Sequence, residues 1–278
     1  GGIGTYIKAS TESHLDVGDP SNNNVRVNAC DVSAQVISEG ANLAITQLGR
    51  IEYESVGGRI NTDAIDNSAG VNMSDYEVNL KILLNNVKPK LTFEKRNSIL
   101  NKIKPQVTEL VLSNNRRQHR LISMDVIRSQ QDLNPFINLI SHMNELNIIN
   151  LKSEHYPSLT HLNEIKKLKL PLARPIIGHL QATVKMHIYK QLLSSKLIKA
   201  NKMITFFEHY FPEIIKLDYL EKGVSHQLKN EILATSLSNF TINYGGTCFF
   251  YKLVSSTQAS IEDIVDAYIT LNLCLEAH

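Results

Sequence analysis

The clearest periodic signal in the chain lies at 74–86, where Tyr76, Leu80, Leu83, Leu84 and Val87 recur at steps of three and four. That spacing places them on one face of a helix. Ser74 followed three residues later by Glu77 reads as a capping box, with Asp75 adding a favourable charge near the positive helix end. From Leu91 onward the apolar pattern is helical almost throughout. Thr92 can cap a helix through Lys102, and Pro105 suits the first turn of another through Leu112. Further helical stretches are predicted near 135–146, 174–197, 202–210, 219–239 and 261–274, with breaks at Pro157, Pro171 and Pro212.

Ahead of Lys88-Pro89-Lys90 the pattern differs. Short β-branched runs alternate there with Gly, Asn and Asp. Ala34-Gln35-Val36-Ile37 and Arg59-Ile60-Asn61-Thr62 read as strands, bounded by Glu39-Gly40 and Gly57-Gly58. The expected fold is therefore an α/β domain over 1–88 followed by an all-α domain over 89–278.

Composition narrows the function classes. Among 278 residues, 29 Lys and Arg face 27 Asp and Glu, a net charge of +2. A dedicated binder of nucleic acid or of an acidic membrane needs a larger basic excess, so neither is an expected partner. Cys30, Cys248 and Cys274 form no CxxC pair, and buried thiols in a reducing cytoplasm are the expectation. No apolar run reaches the ~18 residues of a membrane span, and the opening Gly-Gly-Ile-Gly-Thr-Tyr is no signal peptide. Gly1 with Thr5 matches only the loose myristoylation pattern. The first Met is Met73, which suggests either a trimmed initiator or a piece of a longer chain.

Two segments could carry chemistry. Glu39-Gly40-Ala41-Asn42-Leu43 follows a candidate strand; Gly40 permits close backbone approach, and the Asn42 amide both donates and accepts. The run from Asp63 to Ser74 includes Asn67 and Gly70 and ends on a Ser at the expected mouth of a helix. Free N–H groups there suit a carboxylate or phosphate, so Ser74 is either a helix cap or a carboxylate donor. Asp63, Asp66 and Asp75 fit no cation-loop spacing and read as turn and cap residues. Gly1, Gly2 and Gly4 make no dinucleotide fingerprint, because no strand precedes them. His14, His119, His179, His187 and His209 form no ligand pair, so no metal is expected. The basic run at 115–120 resembles the solvated end of a helix.

Several long strings together carry a family resemblance. They are Gly1 through Ser10, the His14-Leu15-Asp16-Val17-Gly18 turn, Glu39 through Leu43, Gly57 through Val71, and the helix from Ser74 to Leu84. In these the chain resembles the C-terminal catalytic part of the large NAD-specific glutamate dehydrogenases of bacteria. The resemblance is strong to about residue 115 and looser beyond, as in Tyr210-Phe211-Pro212 and Glu231-Ile232-Leu233-Ala234-Thr235.

The resemblance implies oxidative deamination of L-glutamate to 2-oxoglutarate and ammonia, with hydride transfer to NAD. It implies part of a Rossmann-like nucleotide-binding domain in 1–88. Gly40, Asn42, Asn67 and Gly70 would meet the cofactor, and Ser74 would bond the glutamate side-chain carboxylate. The family's catalytic lysines, its general-acid Asp and its pyrophosphate loop match nothing here, so no catalytic residue is expected in this chain. The isolated chain is then expected to be inactive, working with the remainder of the dehydrogenase on the same or a companion polypeptide, as a homo-oligomer when complete. A non-catalytic remnant or helical interaction module is the alternative. Two departures stand out: Ala44 where the family has Gly, and Pro171-Leu172-Ala173-Arg174-Pro175 for its Gly-Leu-Thr-Arg-Pro pattern.

Overall fold

A computed structural model describes residues 4–276; Gly1, Gly2 and Ile3, part of the opening glycine cluster, lie outside the described residues. Among the described residues the fold is 67% helical with one two-stranded sheet, which overturns the expected α/β Rossmann-like part: the described chain is mostly all-α. The strands are β1 (Ile7–Lys8) and β2 (Val27–Asn28), parallel with Ile7 opposite Val27. The two predicted strands meet only at one parallel bridge, Val36 to Arg59. Local chemistry explains why pairing stops there. The Glu39 amide turns away to donate to Asp66, and Thr62 already stands as the N-cap of a helix. Neither run has enough free backbone for a ladder.

The helices in chain order are α1 (His14–Val17), α2 (Gln47–Ser55), α3 (Asp63–Asp66), α4 (Ser68–Asn85), α5 (Phe93–Gln131), α6 (Asn134–Glu145) and α7 (Leu159–Lys167). They continue as α8 (Arg174–Leu193), α9 (Ile204–Tyr210), α10 (Glu213–Ile215), α11 (Lys229–Gly245), α12 (Phe249–Thr257) and α13 (Ile261–Glu276). Among the described residues no helix is long and apolar enough to cross a membrane.

Two compact units form. One comprises the residues up to Ser68 with Gln118–Val184, the other Ala69–Arg117 with Lys185 onward. In the first, Ala29, Ile45, Tyr53 and Ile60 make a core beneath the short sheet, with Ile7, Val32 and Ile37 packed on it. The Tyr53 hydroxyl donates to the Ala34 carbonyl at 2.5 Å. Gly58 cannot be replaced without movement, since a Cβ there would stand 2.3 Å from the Tyr53 ring. Helix α2, which periodicity did not reveal, is capped by Thr46, whose hydroxyl accepts from Gly49 N–H. Helix α6 buries Phe136, Leu139, Ile140 and Met143 along one stripe, as its pattern predicts.

In the second unit α4 buries Leu80, Leu83 and Leu84, the face read from the sequence. Its start is different: α4 begins at Ser68, so Ser74 is the seventh helical residue and no cap. Helix α5 also departs from expectation. Thr92 does cap it, accepting from Lys95 N–H at 3.3 Å, but the helix runs on through Pro105 to Gln131. The basic run at 115–120 therefore lies in mid-helix. His226 ties the loop before α11 to α4: its Nε2–H donates to Asn79 O at 3.0 Å, and Nδ1 accepts from Leu228 N–H at 3.0 Å. The thiols are not buried as expected. Cys30 and Cys274 are exposed and Cys248 is half-buried.

Candidate functional site

The loop after Glu39 is held from beneath by a buried ion pair. Arg50, on α2, donates Nε and Nη2 to the two oxygens of Glu39 at 2.6 and 2.9 Å, and both side chains are almost fully buried. Such two-pronged contact fixes orientation as well as charge. Burial raises the Glu39 carboxyl above its ordinary range despite the Arg50 bonds that oppose it. The same guanidinium lies 3.2 Å from Asp63 on α3.

Asp63 in turn accepts from Leu43 N–H at 2.8 Å, while Thr5 Oγ1 donates to the Leu43 carbonyl at 2.7 Å. Between these two anchors Leu43 adopts φ 61°, a left-handed conformation that a branched side chain resists. The turn is thus held where it is by tertiary bonds. Asn42 sits next to it, with its side-chain oxygen accepting from Asn67 Nδ2 at 2.9 Å. Asn67 itself caps the end of α3. The two candidate asparagines, 25 residues apart, are therefore one hydrogen-bonded pair. The pair leaves an Asn42 donor and an Asn67 acceptor free for a ligand. Gly40 stands on the same loop, exposed, with nothing within 4 Å of where a Cβ would be. Gly70 and Ser74 lie further along, on the second unit's portion of α4, and both are exposed.

Behind the asparagines is a polar cluster that spacing did not disclose. Asp66 accepts from Glu39 N–H at 3.0 Å, from Asn61 Nδ2 at 2.9 Å and from His119 Nε2 at 2.9 Å. Burial pushes the Asp66 carboxyl up, but these donors outweigh it and hold it below its ordinary value. Arg174 opens α8 beside the cluster. Its Nε reaches Asn61 Oδ1 at 3.1 Å, and its backbone N–H donates to Glu54 Oε2 at 2.8 Å. Burial raises Glu54 to about 7. Asp66 read as a turn residue, and His119 sat inside a basic run that looked solvated. The available signal was the three-residue step from Asp63 to Asp66, which places both on one side of a helical turn.

Residues 1–125 match the family model of the bacterial NAD-glutamate dehydrogenase catalytic domain, and residues 169–277 match that of the glutamate dehydrogenase C-terminal region. The chain belongs to the bacterial NAD-glutamate dehydrogenase family. The NAD-specific glutamate dehydrogenase of Halomonas elongata is 36% identical over 97% of this chain. Those of Mycobacterium tuberculosis and Pseudomonas aeruginosa are each 35% identical over the same share. The chain spans 17% of the length of these relatives. The looped asparagines, the Asp66 cluster and α4 all lie within the segment matched by the catalytic-domain model.

Proposed function

We propose that the chain is part of an NAD-dependent glutamate dehydrogenase that oxidatively deaminates L-glutamate, with Gly40, Asn42, Asn67 and Gly70 at the cofactor and Ser74 at the glutamate carboxylate. The likeness to proteins named as NAD-specific glutamate dehydrogenases along nearly the whole chain carries this reading. The Asn42–Asn67 bond supports it, since a joined pair that still offers the Asn42 amide NH2 and the Asn67 side-chain oxygen complements a carboxamide. The open space at Gly40 suits a backbone approached closely by a cofactor. When bound, NAD supplies the hydride acceptor. The roles of this chain's residues are to orient it through the asparagine pair, with the Glu39–Arg50–Asp63 framework holding the loop, and to receive the substrate's distal carboxylate at Ser74. Turnover belongs to the assembled enzyme, with the remainder of the dehydrogenase on the same or a companion polypeptide.

Ser74→Ala in the assembled enzyme tests the substrate assignment cleanly. Ser74 is exposed in mid-helix, so alanine costs no cap and slightly favours the helix. Loss of a hydrogen bond to a charged group removes ~1.5–3 kcal/mol, so the KM for glutamate should rise roughly ten- to a hundredfold with the KM for NAD unchanged. An unchanged glutamate KM would remove Ser74 from the site. For the cofactor, NAD should raise the melting temperature of the 278-residue chain, and Asn67→Ala should abolish that rise. Glutamate-dependent NADH formation by the chain alone would overturn the need for a partner portion.

A further inference from the structure

The second unit contains a cavity of about 680 Å³ whose wall takes residues from α4, α5, α9, α11 and α13. That volume is within the ~300–1,000 Å³ usual for small-molecule sites. None of the residues assigned above to cofactor or substrate lines it.

Two features of the wall specify what it would accept. The first is its aromatic content. Tyr76 and Tyr210 lie parallel with ring centroids 4.3 Å apart, Phe206 meets Phe240 edge to face, and Tyr244 lies under the Arg117 guanidinium at 5.5 Å. Tyr76 and Tyr210 cover one face of each other and Arg117 covers one face of Tyr244, so a flat ligand would stack on the remaining outer faces. The second is a set of six asparagines in the lining: Asn72, Asn79, Asn114, Asn239, Asn243 and Asn272. Three of them spend one amide NH2 within the protein, on Tyr210 OH, Asn114 Oδ1 and Tyr268 O. The other amide groups provide donors and acceptors side by side, the complement of a heterocycle edge carrying ring nitrogens and exocyclic groups.

Charge then narrows the class. Asp75 and Glu231 stand in the wall with the guanidinium of Arg117 and the exposed imidazole of His209. Two carboxylates beside one guanidinium repel a phosphate ester, whereas an uncharged ring system meets no such barrier. We propose that this cavity is a binding site for an uncharged nitrogen heterocycle of the nucleobase or nucleoside type, and that it discriminates against the corresponding nucleotide. The inference does not rest on the cofactor and substrate assignments, since none of Gly40, Asn42, Asn67, Gly70 and Ser74 lines the cavity.

Titrating the 278-residue chain with adenosine, inosine and cytidine by calorimetry, with AMP in parallel, tests the site. At least one nucleoside should bind saturably, AMP at least about tenfold more weakly than adenosine, and excess NAD should leave the binding in place. Tyr244, 54% exposed, can be changed without opening a core, and Tyr244→Ala should weaken the nucleoside about tenfold through loss of a stacking face. Asp75→Asn should narrow the penalty against AMP, which keeps the test decisive even if the tyrosine variant folds poorly. The absence of saturable nucleoside binding to the folded chain overturns the proposal. So does AMP binding as tightly as adenosine, displacement by NAD, or affinity untouched by both substitutions.

Discussion

Arg50 shows how one side chain can govern a loop it does not belong to. It neutralises buried Glu39 and reaches Asp63, whose carboxylate holds Leu43 in its left-handed turn. Arg50→Met would leave the Glu39 carboxylate buried without its cation. Removal of one partner from a buried pair costs about 3–5 kcal/mol. Chemical denaturation should record a loss of that size, and a smaller one for the Arg50→Met/Glu39→Leu double variant, which leaves no buried charge behind. Equal losses in the single and double variants would mean that shape, not charge, supports the loop. In the assembled enzyme the single variant should also raise the KM for NAD, because the Asn42 turn rests on this framework.

At the scale of elements, α5 tests how proline is tolerated. Pro105 offers no N–H to the carbonyl four residues back, and inside a helix it costs ~3 kcal/mol. Pro105→Ala restores that bond, so the melting temperature should rise. A fall would show that proline's restriction of the unfolded chain outweighs the missing bond. The same helix explains much of what could and could not be read in advance. Leu80, Leu83 and Leu84 were legible because a buried stripe imposes its own period. The Thr92 cap was legible because capping is local. The passage through Pro105 was not, since helix continuity there depends on tertiary packing around Ile103 and Val107, both buried. The strands expected at 34–37 and 59–62 meet at only one bridge for a related reason. β-branched residues between Gly turns predict extended backbone, but a ladder needs partners, and here the backbone groups of Glu39 and Thr62 are committed elsewhere. Ser74 carries the right local signature for a cap, yet the helix begins six residues earlier. Asn42 and Asn67 are each legible as loop residues, but the bond between them spans 25 residues and has no local signature. The Asp66–His119 contact spans 53 residues and left no periodic trace.

Across the molecule, partly buried titrating groups set opposing slopes of stability against pH. Burial lowers His179 and His226 from the usual 6.5. Each contributes stability that is complete above 6.5 and is lost as pH falls through its folded value. The His226 geometry agrees, since its Nδ1 must stay unprotonated to accept from Leu228. Glu54 acts in the other direction. Its carboxyl is raised by burial from 4.5 to about 7, so the stability it confers is complete below 4.5 and is lost as pH rises through about 7. Between pH 7 and 5 the two histidines therefore weaken the fold as Glu54 strengthens it. Glu54→Gln keeps an acceptor for Arg174 N–H and removes only the titration. Its melting temperature should exceed the parent's at pH 8 and should fall more steeply between pH 7 and 5, where the histidines then act unopposed. Parallel melting curves for the two proteins across pH 5–8 would mean that Glu54 does not titrate in this window. Replacing His226 with Gln in the Glu54→Gln background should flatten the acid slope again, because the remaining decline then rests on His179.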